Sequence, residues 1–578
     1  MQKKDYLTWS HDKLLHEYKD LSKRKKFGLV WENKPEEVAE KCKESLPVLK
    51  EQKKKEIITN NNSINHIFIE GDNYHALSVL NYTHKKKVDV IFIDPPYNTG
   101  NRSWRYNNDY VEKEDRFRHS KWLSFMSKRL RLARNLLKED GIIVVTIDDY
   151  ELFTLGLLMD EIFFENNKIG VLAVESNPRG RTTNKFFATS HEYWLVYAKN
   201  IDVANIENLP LTEEQKKVFN LKDTISPYRL LPFRRSGGLS TPEERPNSFY
   251  PIYWNEEKGK ISIEPFNDAV KIIPLDTTGR KRVWRQTRPS LMEAVERGDM
   301  VIKKNGNGYT IYMKDRIKSG RKSKTMWIDP KYDASSHGTV LLDKILNRRN
   351  AFDYPKSLYS VLDILSILAS KKKDAIVLDF FAGSGTTGHA VLEINKRDGG
   401  KRQFILCTDN QDNNGSGTKI AEDICYPRIK NVIAGFKDSK GNKIPGLGGN
   451  LRYYSTNFVG NVKTDNDKRI LTLRSAEMLC IAENTFEKIA EKKELYSIYE
   501  NANQITGIIF DEDAIKEFKN KVKEYNKPLV IYVFSYNHTY DEDDFKNINN
   551  LIKVKPIPEV ILNIYRKIYK ELYKPKNL

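Results

Sequence analysis

Residues 88–100 read VDVIFIDPPYNTG, and this stretch decides the fold. Val88 to Ile93 form a short, almost continuous apolar run, the pattern of a strand covered on both faces. Asp94-Pro95-Pro96-Tyr97 follows at once. Two successive prolines cannot continue a central strand, so the run ends there and Asp94 marks its carboxyl end. Open α/β sheets bind their ligands at such ends.

The flanking sequence repeats the rhythm. HIFIE (66–70) reads as a strand ending at Gly71-Asp72, and HALSVLNYT as a helix. After a polar loop (98–119) come the amphipathic helix KWLSFMSKRLRLARNLLKED, stopped by Gly141, the strand IIVVTID, the helix ELFTLGLLMDEIF and the strand HEYWLVYAKN. Strand–helix alternation predicts a parallel sheet covered by helices. From about Asp202 to Ser335 the rhythm is lost, and short strand-like pieces (YPIYWN, KISIEP, GYTIYM) alternate with turns. It resumes with LLDKIL, SLYSVLDILSILAS, AIVLDFF, TTGHAVLEINKR and RQFILCTDN. The expected fold is α/β, a doubly wound, mostly parallel sheet built from residues 66–200 and 336–435 and interrupted by an insertion at 201–335. Residues 1–65 are expected to add one or two flanking helices. Residues 436–578 are expected to form a separate small C-terminal domain.

The tetrapeptide suits chemistry on an aromatic amine. Such an amine is a poor nucleophile because its lone pair is delocalised into the ring. A carboxylate accepting one N–H and a fixed backbone carbonyl accepting the other would localise that pair. The two prolines fix the carbonyl of Pro95, and Tyr97 offers a face for a base that has left its duplex. The structural alternative is that Pro-Pro merely ends a strand and Tyr97 packs on the core.

A second motif, Asp379-Phe380-Phe381-Ala382-Gly383-Ser384-Gly385-Thr386-Thr387-Gly388, follows the strand AIVL and opens a helix. The glycines admit close approach of a ligand, and the helix N-terminus offers free N–H groups. GSGTTG fits the dinucleotide pattern G-x-G-x-x-G, which alone is weak, and no lysine follows to make a phosphate loop. Asp379 is placed to hold an ammonium group. The aromatic pair and alanyl-glycine turn suit a sulfonium-bearing ligand, S-adenosylmethionine, better than a pyrophosphate. The two motifs explain each other if both open on one cleft.

DPPYNTG followed much later by FAGSGTTG resembles the β class of amino-methyltransferases. The segments RRSGGLSTPEERPNSFYPIYWN, HGTVLLDKIL, FDYPKSLYSVLDIL and ICYPRIK resemble the modification subunits of type III restriction–modification systems and their solitary relatives. The likeness covers roughly residues 66–435. It implies a Rossmann-like methyltransferase sheet with an inserted target-recognition domain, and transfer of methyl from S-adenosylmethionine to adenine N6 of a flipped base in duplex DNA. Asp94, Pro95, Pro96 and Tyr97 would hold the adenine. Asp379, Phe381, Ala382, Gly383, Ser384, Gly385, Thr386 and Thr387 would line the cofactor site, with Asp72 near the cofactor's adenine and Pro355, Lys356 and Ser357 near its methionine end. Many relatives carry Glu for the ribose hydroxyls where this chain has Asp409. Asp at the first motif position goes with adenine N6 in this family, Ser with cytosine N4. Other acceptors (cytosine N4, RNA or a protein glutamine amide), or a chiefly recognition role beside a restriction partner, remain alternatives.

Apolar residues make up 39% and charged residues 30% of 578, and the net charge is +19. That excess suggests a polyanionic partner, and a lysine-rich solvated surface is the alternative; the charge narrows the class and identifies nothing, and double-stranded DNA is the partner the resemblance implies. The insertion concentrates Arg234, Arg235, Arg245, Arg280, Lys281, Arg282, Arg285, Arg288, Arg316, Arg321 and Lys322 with Trp284 and Trp327; arginine forks suit phosphates and guanine edges, and rings suit stacking. Arg234, Arg235, Arg245, Arg282, Trp284, Arg285, Arg288 and Arg321 are the candidate DNA contacts. Lys128, Arg129, Arg131 and Arg134 are expected on the polar face of a surface helix. His119 and His191 are read as structural, because methyl transfer to an amine can shed its proton afterwards. Cys42, Cys407, Cys425 and Cys480 lack the short spacing of a zinc site. The start lacks a signal peptide and no apolar run spans a bilayer, so a cytoplasmic protein without a membrane is expected, with a homodimer or a restriction subunit as further partners.

Overall fold

A computed structural model describes residues 10–12, 14–15, 29–60, 63–100, 105–106, 109–180, 185–306, 308–410, 417–438, 440–460, 462–537, 539–546 and 548–573. The chain divides into two compact units, Met1–Glu207 with Lys324–Leu578, and Asn208–Ser323.

The first unit is organised by ten strands: β1 (Ser45–Glu51), β2 (Asn65–Glu70), β3 (Val88–Ile93), β4 (Leu137–Ile147), β5 (Lys168–Val174), β6 (Glu192–Ala198), β7 (Met326–Trp327), β8 (Ile376–Asp379), β9 (Gln403–Thr408) and β10 (Asn450–Gly460). Their spatial order is β1-β10-β2-β9-β8-β3-β4-β6-β5-β7. Every neighbouring pair from β10 to β4 is parallel. The pairs β1–β10, β4–β6 and β6–β5 are antiparallel, and β7 runs parallel to β5. The sheet is thus mostly parallel and doubly wound. The chain runs from β8 outward to β9 and from β3 outward to β4 in the opposite direction. The crevice at the carboxyl ends of β8 and β3 is therefore the topological switch point.

Six helices matter for the site: α1 (Asn73–Thr83), α2 (Arg118–Leu136), α3 (Leu152–Phe163), α4 (Leu358–Ala369), α5 (Thr386–Asp398) and α6 (Tyr426–Ala434). All six residues of β3 are buried, as a strand between two helical layers must be. Helix α2 stops at Leu136, earlier than the sequence periodicity predicts. Leu137 already pairs with Val88, so β4 captures LKED.

Two expectations about the ends are corrected. Residues 1–65 are not purely helical: helix Glu37–Glu44 leads into β1, an edge strand whose Val48 and Leu49 enter the main core. Nor is residue 436 onward a separate domain. β10 inserts between β1 and β2, and Ile508, Phe510, Val530, Tyr532, Ile557 and Ile561 of the C-terminal segment join the core that holds β3 and α2. That segment carries its own five-stranded sheet, from Glu487–Lys492 to Leu551–Ile557, and both its faces are apolar because one covers α1. The Lys23–Lys26 cluster lies outside the described residues.

The second unit is antiparallel. Met300–Asn305, Gly308–Arg316, Pro227–Pro232 and Leu221–Lys222 form one sheet, and Ile252–Asn255 is the centre of a three-stranded one. Phe233, Tyr250, Ile252, Trp284, Leu291 and Ile311 are its core.

Candidate active site

Val377 pairs with Val90 and Leu378 with Ile91, so Asp379 and Asp94 close adjacent parallel strands at one edge of the sheet. This register joins the two motifs that lie 285 positions apart in the chain.

At the first motif, Asp94 retains partial exposure and is met by Thr146 and Lys356. Thr146 donates its hydroxyl to Asp94 Oδ1 from the adjoining β4, and Lys356 Nζ lies 3.0 Å from the same oxygen. Lys356 also lies 2.8 Å from Glu192 Oε2, the first residue of β6. Burial opposes the Lys356 charge, but Asp94 and Glu192 outweigh it and raise the ammonium's pKa. The Tyr97 hydroxyl stands 3.1 Å from Glu192 Oε2 and 3.2 Å from Thr146 Oγ1, and Lys356 donates to it. Burial, then Asp94 and Glu192, push the Tyr97 phenol well above its ordinary value, so it stays protonated. Its ring packs partly on the core.

The prolines divide their work. Trp122 Nε1 donates to the Pro96 carbonyl at 2.7 Å, which ties the turn to α2. Among the described residues no donor reaches the Pro95 carbonyl, which is left for a ligand. Asn98 is fully buried and donates to Glu151, which also holds His119 at 2.6 Å. His119 thereby pins the loop after the motif. His191 meets Tyr193 at 3.0 Å.

At the second motif, Asp379 is 3% exposed. It accepts the Phe381 N–H at 3.0 Å and the Thr387 hydroxyl at 2.6 Å. Burial raises its pKa to about 7, and Asp94 adds to the rise. Gly383 (φ 48°) and Gly385 (φ 80°) are left-handed, and a Cβ on Gly385 would stand 3.0 Å from Cys425 Sγ. The loop therefore tolerates only glycine at Gly385. Ala382 donates its N–H to the Cys407 carbonyl at 3.1 Å.

Ser384 and Thr386 differ from expectation: both are buried and turn inward, where Arg428 Nη1 of α6 reaches the Ser384 hydroxyl at 3.1 Å and the Thr386 hydroxyl at 2.8 Å. Their side chains support the loop from beneath. Ser357 caps α4 and donates to the Lys331 carbonyl at 2.7 Å, and the Pro355 carbonyl lies against Gly338. Lys356, expected at the methionine end of a cofactor, is instead bound to Asp94.

Asp72 caps α1, accepting the Tyr74 N–H at 2.7 Å, and lies 3.4 Å from Arg129. Arg129 is corrected from surface to core: it is 0% exposed, pairs with Glu36 at 2.7 Å, and stacks on Phe125. Lys128 beside it also reaches Glu36. At the end of β2, Glu70 accepts from Asn410 at 2.6 Å and from Lys55 at 3.1 Å. Asp409 precedes Asn410, and its carbonyl accepts the Ala421 N–H.

The candidate DNA contacts in the second unit divide. Trp284 is 3% exposed, stacks on Phe233, and donates to the Tyr250 carbonyl at 2.8 Å, so it is core and not a contact surface. Arg282 is neutralised by Asp276 at 2.9 Å. Arg316, between Asp223 and Asp299, is likewise internal. Arg234, Arg235 and Arg285 spend one nitrogen each on the carbonyls of Leu275, Gly238 and Pro232. Arg245 opens the turn Pro246–Ser248, and Arg288 opens helix Arg288–Glu296 from an exposed position. Arg280, Lys281, Arg321 and Lys322 are exposed. Trp327 belongs to the first unit, buried between Trp194 and Tyr332.

Sequence reasoning missed Glu192, Thr146, Glu36 and Arg428. Glu192 had a signal: it is the one acidic residue of the otherwise largely apolar segment HEYWLVYA, where an unpaired charge is costly.

An α/β sheet with an acidic Pro-Pro-Tyr turn on one strand and a buried aspartate with a glycine loop on the next defines a group-transfer enzyme that works at a switch-point crevice. The chain belongs to the DNA methylase family of N6 and N4 methyltransferases, whose sequence pattern it matches over residues 88–426. It is 36% identical over 384 residues to the type II methyltransferase M.KpnI of Klebsiella pneumoniae, covering 65% of this chain and 89% of that one. It is 34% identical over 387 residues to the EcoPI Mod subunit of a type III restriction–modification enzyme of Escherichia phage P1, covering 60% of this chain and 57% of that one. Among solved structures, a PvuII cytosine-N4-specific DNA methyltransferase matches 64% of this chain and 97% of its own at 13% identity and a TM-score of 0.30. The complex of M1.HpyAVI with SAM matches 61% and 97% at 14% identity and a TM-score of 0.26.

Proposed function

We propose that this DNA methyltransferase transfers a methyl group from S-adenosylmethionine to N6 of an adenine flipped out of duplex DNA. The observation that carries the reading is the register of β3 and β8, which sets Asp94 and Asp379 on one crevice. The relatives' names include both a free-standing type II enzyme and type III Mod subunits, and the family's Asp-first motif favours adenine.

The residues present fit the cofactor. Asp379 is a buried carboxylate whose oxygens keep lone pairs beyond the two protein donors, so it can accept an ammonium. The left-handed Gly383 and Gly385 make a turn that a side chain on Gly385 would press into Cys425 and Ile429, so its backbone stays bare for a ligand's close approach. Phe381 stands beside them, and Asp72, Glu70 and Asp409 offer acceptors for adenine and ribose. When bound, the cofactor supplies an electrophilic methyl group. The chain's own residues prepare the acceptor: Asp94 accepts one N–H of the target amine, the Pro95 carbonyl accepts the other, and Tyr97 flanks the base. The amine's lone pair would form the new N–C bond as the methyl–sulfur bond breaks, the sulfur keeping that bond's electron pair to leave a neutral thioether, and the amine's lost proton would pass to solvent.

The second unit is the seat of target recognition in this reading, with Arg280, Arg288 and Arg321 among its exposed cations and Arg245 half-buried. A restriction subunit and a second copy of the chain are partners to be sought by co-purification. The function is tested by incubating purified protein with unmethylated duplex DNA and labelled S-adenosylmethionine and identifying the labelled nucleoside by mass.

A further inference from the structure

The hairpin that joins β5 to β6 carries two adjacent phenylalanines, Phe186 and Phe187, which are 82% and 87% exposed. Bare rings at that exposure, side by side, are unusual on a surface that buries nothing there.

Their place is fixed by register. Ile93 of β3 pairs with Val145, Ile147 of β4 with Tyr193, and Val174 of β5 with Glu192. The hairpin therefore leaves the sheet from the same edge as Asp94, and Glu192 at its foot holds Lys356 against Asp94. The stem is firm: the Asn177 N–H donates to the Ser190 carbonyl at 2.9 Å, and Gly180 (φ 72°) lies so close to Ala188 that a Cβ would meet it at 2.8 Å. Arg179 and Lys185 of the same hairpin are exposed, and Lys185 Nζ lies 5.3 Å from the Phe186 ring. Phe187 is five residues and Phe186 six residues before Glu192, so extended chain puts the rings at most roughly 20 Å from the foot of the hairpin.

We propose that Phe186 and Phe187 are the wedge that enters the base stack as the target adenine leaves it. A flipped base abandons two stacking faces, and apolar side chains inserted between base steps recover part of that loss. Exposed rings with a lysine beside them and a second exposed cation on the same hairpin match bases with their phosphates, which favours a duplex over an apolar protein surface as the occupant.

The proposal rests on the function proposed above. Its test uses the full chain and a duplex containing a site mapped by sequencing methylated product DNA, with 2-aminopurine or adenine at the target position. The Phe186→Ala/Phe187→Ala double variant is expected to bind S-adenosylmethionine as wild type does. It should lose about tenfold or more in kcat/KM on the paired duplex, together with the fluorescence rise of the flipped 2-aminopurine, because unstacking is no longer offset. On the same duplex with an abasic site opposite the target the loss should shrink to about threefold or less, since that base is already loosened. The Phe186→Leu/Phe187→Leu variant, which keeps an apolar wedge, should retain flipping. Equal losses on both duplexes, no loss on either, or a changed sedimentation coefficient with flipping intact would each overturn the wedge, the last placing the rings in a protein interface. Wild-type methylation of the mapped site upholds the function whatever the variants do. Absence of any wild-type DNA methylation overturns both.

Discussion

The Lys356 ammonium lies 3.0 Å from the Asp94 carboxylate, and it bridges to Glu192 at 2.8 Å. A cation thus stands beside the oxygen that a target amine must reach, and it bridges two neighbouring carboxylates. Lys356→Met is expected to lower turnover by about 10- to 100-fold through misplacement of Asp94, with S-adenosylmethionine affinity little changed. Asp94→Ala removes an acceptor made for the transition state and should cost on the order of 10²–10³ in kcat while cofactor binding persists. Single-turnover assays with equilibrium cofactor binding separate the two effects.

Asp379 makes cofactor binding pH-dependent. Its folded pKa of about 7 lies above the ordinary 3.8 because the ionised form is buried. The native state therefore binds more protons than the unfolded chain between those values. Its stability cost is absent below about pH 4 and grows as pH rises towards 7, to on the order of 4 kcal/mol. An ammonium docking on Asp379 favours the carboxylate, so affinity should rise as pH increases from 5 to 7, with proton uptake by the buffer. Calorimetry in two buffers of different ionisation enthalpy measures that proton. Asp379→Asn should stabilise the cofactor-free protein at pH 8 and weaken cofactor binding at every pH.

Arg129 is a core residue despite its charge. Arg129→Ala leaves Glu36 and part of Asp72 buried without their counter-ion, and should cost about 3–5 kcal/mol in urea unfolding. Replacing Arg129 and Glu36 together by Met and Gln should restore only part of that loss, because Asp72 and Lys128 then lack their partners.

Trp284 and Arg288 are both in the second unit and predict opposite outcomes. Trp284→Ala empties the core around Phe233 and Tyr250 and should cost about 3–5 kcal/mol, seen as faster amide exchange across Asn208–Ser323. Arg288→Ala leaves that core alone. If Arg288 meets a phosphate, the variant lowers DNA affinity and flattens the log–log salt dependence by about 0.9.

The sheet was legible in the sequence because buried parallel strands are written as apolar runs: VDVIFI, IIVVTI and FILC each mark one. The two motifs stood out because Pro-Pro and clustered glycine are rare backbone chemistry. What the sequence hid were partnerships across long separations. Nothing near β1 says that it will pair with β10 four hundred residues later, and nothing in KRLRLAR tells a buried arginine from an exposed one. The tryptophans misled for a related reason: Trp284 sits among arginines in the chain, yet it packs on residues from three other segments. Lys356 was recognised as a site residue, but only tertiary structure shows that it serves Asp94.

The most direct test of the central claim is the identity of the nucleoside that the protein methylates in unmodified duplex DNA with labelled S-adenosylmethionine. The account predicts N6-methyladenine, lost in Asp94→Ala. N4-methylcytosine would contradict the assignment of the Asp94 crevice to adenine, and an unmethylated duplex in the presence of bound cofactor would contradict the assignment to DNA.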